Sequence, residues 1–142
     1  MIVIDASVWL SVILSSDAHH PETRAWSDLI SQLGTELAVP AHFPAEVIGV
    51  LRRTNHLDNL IDDAIEAIVG GGPFTIHPIS VELGLFSAEA ARVTATRGAD
   101  AVYVALAAWL DTPLITWDRQ QRERGAKFCR TMTPVEAMEM AE

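Results

Sequence analysis

Four acidic residues sit where this chain's pattern would place functional groups. Asp5 follows the apolar run Ile2-Val3-Ile4, and Asp118 follows Leu114-Ile115-Thr116-Trp117. Glu46 lies just after Pro44, in what the pattern predicts as a helix's first turn, and Asp100 follows Gly98. Each has an ordinary structural use. Asp is a strong helix N-cap and Glu suits the third helical position, because both complement free N–H groups and the helix dipole. They also have a chemical use. In open α/β sheets ligands sit outside the carboxyl ends of strands, and helix starts share that edge, so the four acids can converge there. Carboxylates a few ångströms apart cannot all ionise unaided. Either some stay protonated, or a divalent cation neutralises them. Hard oxygen ligands around an open position select Mg2+ or Mn2+. Such an ion serves phosphoryl chemistry by polarising the phosphate, activating a bound water and stabilising the leaving oxygen.

The elements that must position these acids follow from the apolar patterning. Short apolar runs at Ile2–Ile4, Leu37–Val39, Phe74–Ile79 and Leu114–Thr116 predict strands, with Lys127–Thr131 a fifth candidate. Helical patterns lie between them. Ser7–Leu14 is one. Pro21–Leu33 has proline at a favoured first position and Gly34 as its stop. A third runs from Phe43 to Arg53. Leu57, Leu60, Ile61, Ala64, Ile65 and Ile68 then form one apolar stripe. After the Gly70-Gly71-Gly72 break and the third strand, Ser80–Thr96 is helical and Gly98 is expected to end it. Asp100–Leu110 is nearly all apolar and predicts a buried central helix. Thr133-Pro134-Val135-Glu136 is a capping box that opens a last helix. Strands separated by helices predict an α/β fold, a parallel sheet of four to five short strands with helices on both faces.

Length and composition narrow the class. The 142 residues fit one domain, residues 1–142, and a hydrophobic fraction of 49% excludes a disordered or low-complexity chain. The single cysteine, Cys129, excludes a disulfide framework and a cysteine-based zinc site. No run approaches the ~20 apolar residues of a membrane span. The N-terminal apolar stretch has no basic residue ahead of it and is interrupted by Asp5, unlike a signal peptide. The expectation is a cytoplasmic protein without a membrane partner. Net charge is −9, so nucleic acid would be repelled except at a local basic patch or through bound cations. Mean hydropathy is +0.21, which suits apolar surface covered by a partner or a second copy.

These residues resemble a known family. Val3-Ile4-Asp5-Ala6-Ser7 is similar to the opening motif of PIN-domain ribonucleases, and Pro44-Ala45-Glu46-Val47 through Leu51-Arg52-Arg53 to their second acidic motif. Arg97-Gly98-Ala99-Asp100-Ala101-Val102-Tyr103-Val104-Ala105-Leu106-Ala107 is the most specific match, and Leu114-Ile115-Thr116-Trp117-Asp118 resembles the fourth motif. The short form looks like the toxin (VapC) half of VapBC-type toxin–antitoxin pairs. The resemblance implies a three-layer α/β/α sandwich and Mg2+-dependent RNA cleavage, with Mn2+ as a substitute. It implies Asp5, Glu46, Asp100 and Asp118 as the catalytic acids, with the metal on Asp5, Asp100 and Asp118. Glu46 is either a ligand or the group that orients water. Ser7 and Thr116 would donate to the carboxylates. Trp117 departs from the smaller residues usual at its position. Implied partners are an RNA substrate, a second copy of the chain, and a cognate antitoxin that presents an Arg or Lys to the acidic site, in a heterotetramer or larger assembly.

Five of the ten basic residues, Arg119, Arg122, Arg124, Lys127 and Arg130, follow Asp118 directly. Arg119 and Arg122 are candidate phosphate contacts, and Trp117 a candidate base-stacking group. The alternative for the arginines is a solvated surface run. Arg52 and Arg53 have the same two readings. His19 and His20 diverge on any regular element, and His42, His56 and His77 have no partner at ligand spacing. Two other functions compete. One is a non-catalytic PIN-like RNA- or protein-binding module, against which the four acids count. The other is an aspartyl-nucleophile phosphatase, which has a second Asp where this chain has Ser7.

Overall fold

The structure is a computed structural model and describes residues 1–141. The chain runs β1 (Ile2–Ile4), α1 (Ala6–Ile13), α2 (His20–Gln32), β2 (Leu37–Pro40), α3 (Phe43–Arg53), α4 (Asp58–Val69), β3 (Phe74–His77), α5 (Val81–Thr94), α6 (Gly98–Trp109), β4 (Leu114–Ile115), α7 (Arg119–Gly125), β5 (Thr131–Met132) and α8 (Pro134–Ala141). The strands form one sheet in the order β3-β2-β1-β4-β5, and every neighbouring pair is parallel. Val3 sits between Ala38 of β2 and Leu114 of β4.

Parallel neighbours need crossovers, and crossovers are right-handed. That rule puts α1 to α4 on one face and α5 to α7 on the other. The packing agrees: α1 meets α2 and α3, α3 meets α4, α5 lies along α6, and α6 touches α7. The result is the expected three-layer α/β/α arrangement. α8 returns from the sheet edge to pack on α2. The inner strands are buried on both faces, with Val3, Ile4, Ala38, Val39, Leu114 and Ile115 fully covered. α6 is the buried central helix, with Ala101 and Tyr103 to Ala107 in the core.

Five features of the patterning come out differently. Gly98 does not end a helix. α5 stops at Thr94 because Ala95 turns into the left-handed region at φ 56°, and Gly98 opens α6 behind Arg97. Lys127–Thr131 is not a strand; only Thr131 and Met132 pair with β4. The third strand is shorter than Phe74–Ile79 and ends at His77. The polar segment after Asp118 is a helix, α7, whose inward positions are Gln121 and Gly125 rather than apolar residues, so no hydrophobic period marks it. On α4, Ile61, Ala64 and Ile68 are buried, but Leu57 and Ile65 of the same stripe face out. The capping box forms as written: Thr133 N–H donates to Glu136 Oε2 at 2.7 Å and Glu136 N–H to Thr133 Oγ1 at 3.2 Å.

Candidate functional site

The strand order reverses direction on either side of β1. From β1 the chain steps outward to β2 and β3, and later returns to the other flank for β4 and β5. The crevice outside the carboxyl ends of β1 and β4 is therefore the switch point where open α/β sheets bind ligands. Asp5 leaves β1 there and Asp118 follows β4.

Asp5 is buried and held on every side. Its Oδ1 accepts from Ser7 Oγ at 2.6 Å and from Val8 N–H at 3.3 Å, the latter as the N-cap of α1. Its Oδ2 accepts from Thr116 Oγ1 at 2.6 Å. Burial pushes the Asp5 carboxyl up to about 6, against the lowering effect of these bonds, and the nearby Asp118 charge adds to the rise. Asp118 caps α7 by accepting from Gln121 N–H at 2.9 Å, while its own N–H donates to Thr116 Oγ1 at 2.9 Å. Capping and clustering are thus one arrangement, because a carboxylate that caps a helix at this edge also faces the crevice.

The other pair comes from helix starts. Glu46 stands in the first turn of α3. His42 Nε2 lies 3.1 Å from Glu46 Oε1 and 3.1 Å from the carbonyl oxygen of Ala99. Both are acceptors, so Nε2 carries the hydrogen and donates. Tyr103 Oη donates to Glu46 Oε2 at 3.1 Å, and burial first, then the charges of Glu46, Asp5 and Asp100, oppose ionisation of the phenol. Asp100, in the first turn of α6, has no side-chain hydrogen bond among the described residues. Burial first, then the charges of Asp118 and Glu46, raise its carboxyl above the ordinary range.

The structure therefore gathers all four acids around one crevice, close enough to disturb one another. Among the described residues no three carboxylate, imidazole or thiol groups stand in a grouping that holds an ion as they are. Asp5, Glu46 and Asp118 are each tied to neighbouring donors, and Asp100 is the free member. The donor set is all oxygen, with hydroxyls behind it, and the carboxyls of Asp5 and Asp100 are raised by burial first and by neighbouring carboxylate charge second. That chemistry fits a hard divalent cation.

Ser7 and Thr116 sit as donors to Asp5. Trp117 is committed elsewhere: His19 stacks on it at 3.8 Å with the rings 4° from parallel, and its Nε1–H donates to Thr23 Oγ1 at 2.8 Å. Arg119 reaches back to Glu123 on α7, and Arg122 is partly buried on the same helix. Three contributors escape the sequence patterning. His42 has a partner after all, Glu46 one helical turn on, and that four-residue spacing was the available signal. Tyr103 is the only tyrosine, three residues after Asp100 inside an apolar helix. Gln121 is buried, with Oε1 accepting from Thr116 Oγ1 at 3.1 Å and Nε2 donating to the carbonyl of Asp100 at 3.3 Å. No local pattern marks it.

A family model described as "PIN domain" matches residues 2–127. A sequence search of curated proteins finds no match. Several solved structures share the fold. A Mycobacterium tuberculosis protein described as VapC20, a Sarcin-Ricin loop cleaving toxin, superposes with a TM-score of 0.72 at 18% identity, over 88% of this chain and 95% of that one. FitAcB from Neisseria gonorrhoeae gives 0.71 at 16% identity, over 94% and 98%. PAE2754 from Pyrobaculum aerophilum gives 0.63 at 17% identity, over 99% and 93%.

Proposed function

The chain belongs to the PIN-domain family, and from that premise we propose that it is a Mg2+-dependent endoribonuclease acting as the toxin of a toxin–antitoxin pair. The observation that carries this reading is the meeting of Asp5, Glu46, Asp100 and Asp118 at the sheet's switch point, where burial first and neighbouring carboxylate charge second raise Asp5 and Asp100. A Mg2+ or Mn2+ ion on Asp5, Asp100 and Asp118 would polarise the phosphate and lower the pKa of a bound water. The protein's own part is positional. Ser7, Val8 and Thr116 fix the Asp5 carboxyl, and Gln121 ties the loop after β4 to the start of α6. His42 and Tyr103 hold both oxygens of Glu46, which is thereby oriented to take a water's proton or to join the ligands.

The toxin role draws on the fold shared with the loop-cleaving toxin above. Its partner is a small antitoxin that places an arginine or lysine among the four carboxylates, since a guanidinium meets carboxylates in bidentate fashion. Val81 at 76% exposure, Leu85 at 69% and Trp109 at 51% offer apolar area for that partner or for a second copy of the chain. Among the described residues no helix is long and apolar enough to cross a membrane.

The test is cleavage of single-stranded RNA by the purified protein with Mg2+ and with a chelator. Metal-dependent cleavage that Asp5→Asn abolishes supports the reading. Cleavage at the wild-type rate by folded Asp5→Asn overturns the site, and RNA binding without any cleavage favours the non-catalytic module.

A further inference from the structure

An open cleft of about 550 Å³ runs beside the carboxylates, lined by Glu46 and Asp100 and also by Arg53 and Arg97. The two arginines arrive from different layers. Arg53 is in the last turn of α3, and Arg97 precedes α6 as its N-cap residue. Four other surface arginines are paired with carboxylates, Arg24 with Asp28, Arg52 with Asp58, Arg92 with Glu89 and Arg119 with Glu123, while Arg124 donates to the carbonyl of Ala95 and Arg130, unpaired among the described residues, lies outside this cleft. Arg53 and Arg97 are exposed and make no ion pair or side-chain hydrogen bond among the described residues.

Arg53 is also aimed. A Cβ on Gly49 would lie 3.2 Å from Arg53 Nη1, so the guanidinium folds back one turn along α3, toward Glu46. The missing side chain at Gly49 leaves the space it occupies. Arg97 is near enough to Asp100 to favour that carboxylate's charged form. The start of α6 has no side-chain cap, so the positive end of its dipole adds to the positive charge along the cleft.

A chain of net charge −9 that gathers four carboxylates would repel a polyanion from this crevice unless fixed positive charge stood beside it. We propose that the cleft is a phosphodiester track, in which Arg53 and Arg97 take backbone phosphates of single-stranded RNA next to the bond presented to the carboxylates. The planar fork of arginine suits phosphate oxygens, and the open cleft admits a single strand. The proposal rests on the nuclease reading for the identity of the strand, and not for the contact itself. It differs from the expectation for Arg119 and Arg122, since Arg119 is paired with Glu123 and neither residue lines this cleft.

The experiment is fluorescence anisotropy of the whole protein with a labelled 20-nucleotide single-stranded RNA of mixed sequence, in chelator, across a salt series. Releasing counterions from single strands gives a log–log salt slope of about 0.7 per phosphate neutralised. Arg53→Ala with Arg97→Ala should lower that slope by about 1.4 and weaken binding roughly tenfold at 0.1 M salt. Arg53→Lys with Arg97→Lys should keep the slope, because the charge remains. Arg119→Ala should leave it unchanged. Competition by inorganic phosphate no stronger than by chloride at equal ionic strength marks a contact built for the strand. A double alanine variant that binds with the wild-type slope overturns the track, as does a wild-type protein that binds no RNA. Both side chains are exposed, so circular dichroism should show the double variant folded. If the slope falls as expected but Mg2+ brings no cleavage, the track stands and the nuclease reading fails. If cleavage occurs and the slope does not move, the reverse holds.

Discussion

The site has two halves built in different ways. On the β1–β4 side, Asp5 and Asp118 are fixed by backbone N–H groups of the helices they cap and by Ser7 and Thr116, all within three residues of one acid or the other. On the α3–α6 side, Tyr103 lies 57 residues along the chain from Glu46, which it meets, Ala99 lies 57 residues from His42, whose hydrogen it shares, and Asp100 is held by nothing but its helix. The first half is over-determined and is anchored on the buried Asp5, with Asp118 at its exposed rim. The second is half-open and adjustable, and it adjoins the arginine-lined cleft. The contrast teaches that rigidity and access are divided between two walls of the same crevice.

The largest effect should come from the rigid wall. Asp5→Asn should cut RNA cleavage about a thousandfold or more, since metal chemistry is worth several kcal/mol. It should do so without unfolding the protein. The new Nδ2–H can donate to Thr116 Oγ1, whose own hydrogen turns to Gln121 Oε1. The same variant tests the raised carboxyl. Asp5 titrates near 3.8 unfolded and at about 6 folded, so the native state holds the extra proton between those values. Metal-free stability should therefore fall as pH rises from about 4 to 6, by up to about 3 kcal/mol for this group. Chemical denaturation at a series of pH values would show the slope, and Asp5→Asn should flatten it. Equal slopes in both proteins would mean that Asp5 is not the buried charge described.

Next in size is Thr116→Val. It strips the donor from the buried Asp5 Oδ2 and the acceptor from the partly buried Asp118 N–H, and should cost about 2–3 kcal/mol in urea unfolding. On the adjustable wall, Tyr103→Phe should lower cleavage about tenfold yet change stability by no more than about 1 kcal/mol. A larger stability loss than that of Thr116→Val would erase the distinction between the walls. Smallest of all, Arg119→Ala should leave the urea midpoint unchanged, because its ion pair with Glu123 is exposed and screened.

The division also explains what could be read in the sequence. Asp5 and Asp118 stand out because strand, acid and helix are consecutive, and the capping chemistry is written in neighbouring residues. The motif around Asp100 is legible for the same local reason, although Gly98 misleads: here it opens a helix, while Ala95 takes the left-handed turn that glycine usually supplies. α7 is hidden because its buried positions are Gln121 and Gly125, which carry no hydrophobic period. His42, Tyr103 and Gln121 gain their meaning only when α3, α6 and α7 meet, so no local rule finds them. The apolar stripe of α4 is visible in full, but the sequence does not say which of its members the sheet will cover.

The hydroxyl of Thr116 and the carboxylate of Asp5 meet across 111 residues. β4 must slot beside β1 after three crossovers have been laid down, and closing so long a loop is a late, slow event in folding. A growing chain that has made Asp5, Glu46 and Asp100 still lacks the strand that brings Asp118 to them. The crevice is thus completed only once β4 and Asp118 are made, and a nascent chain that has not reached them carries the parts of the centre without the centre itself.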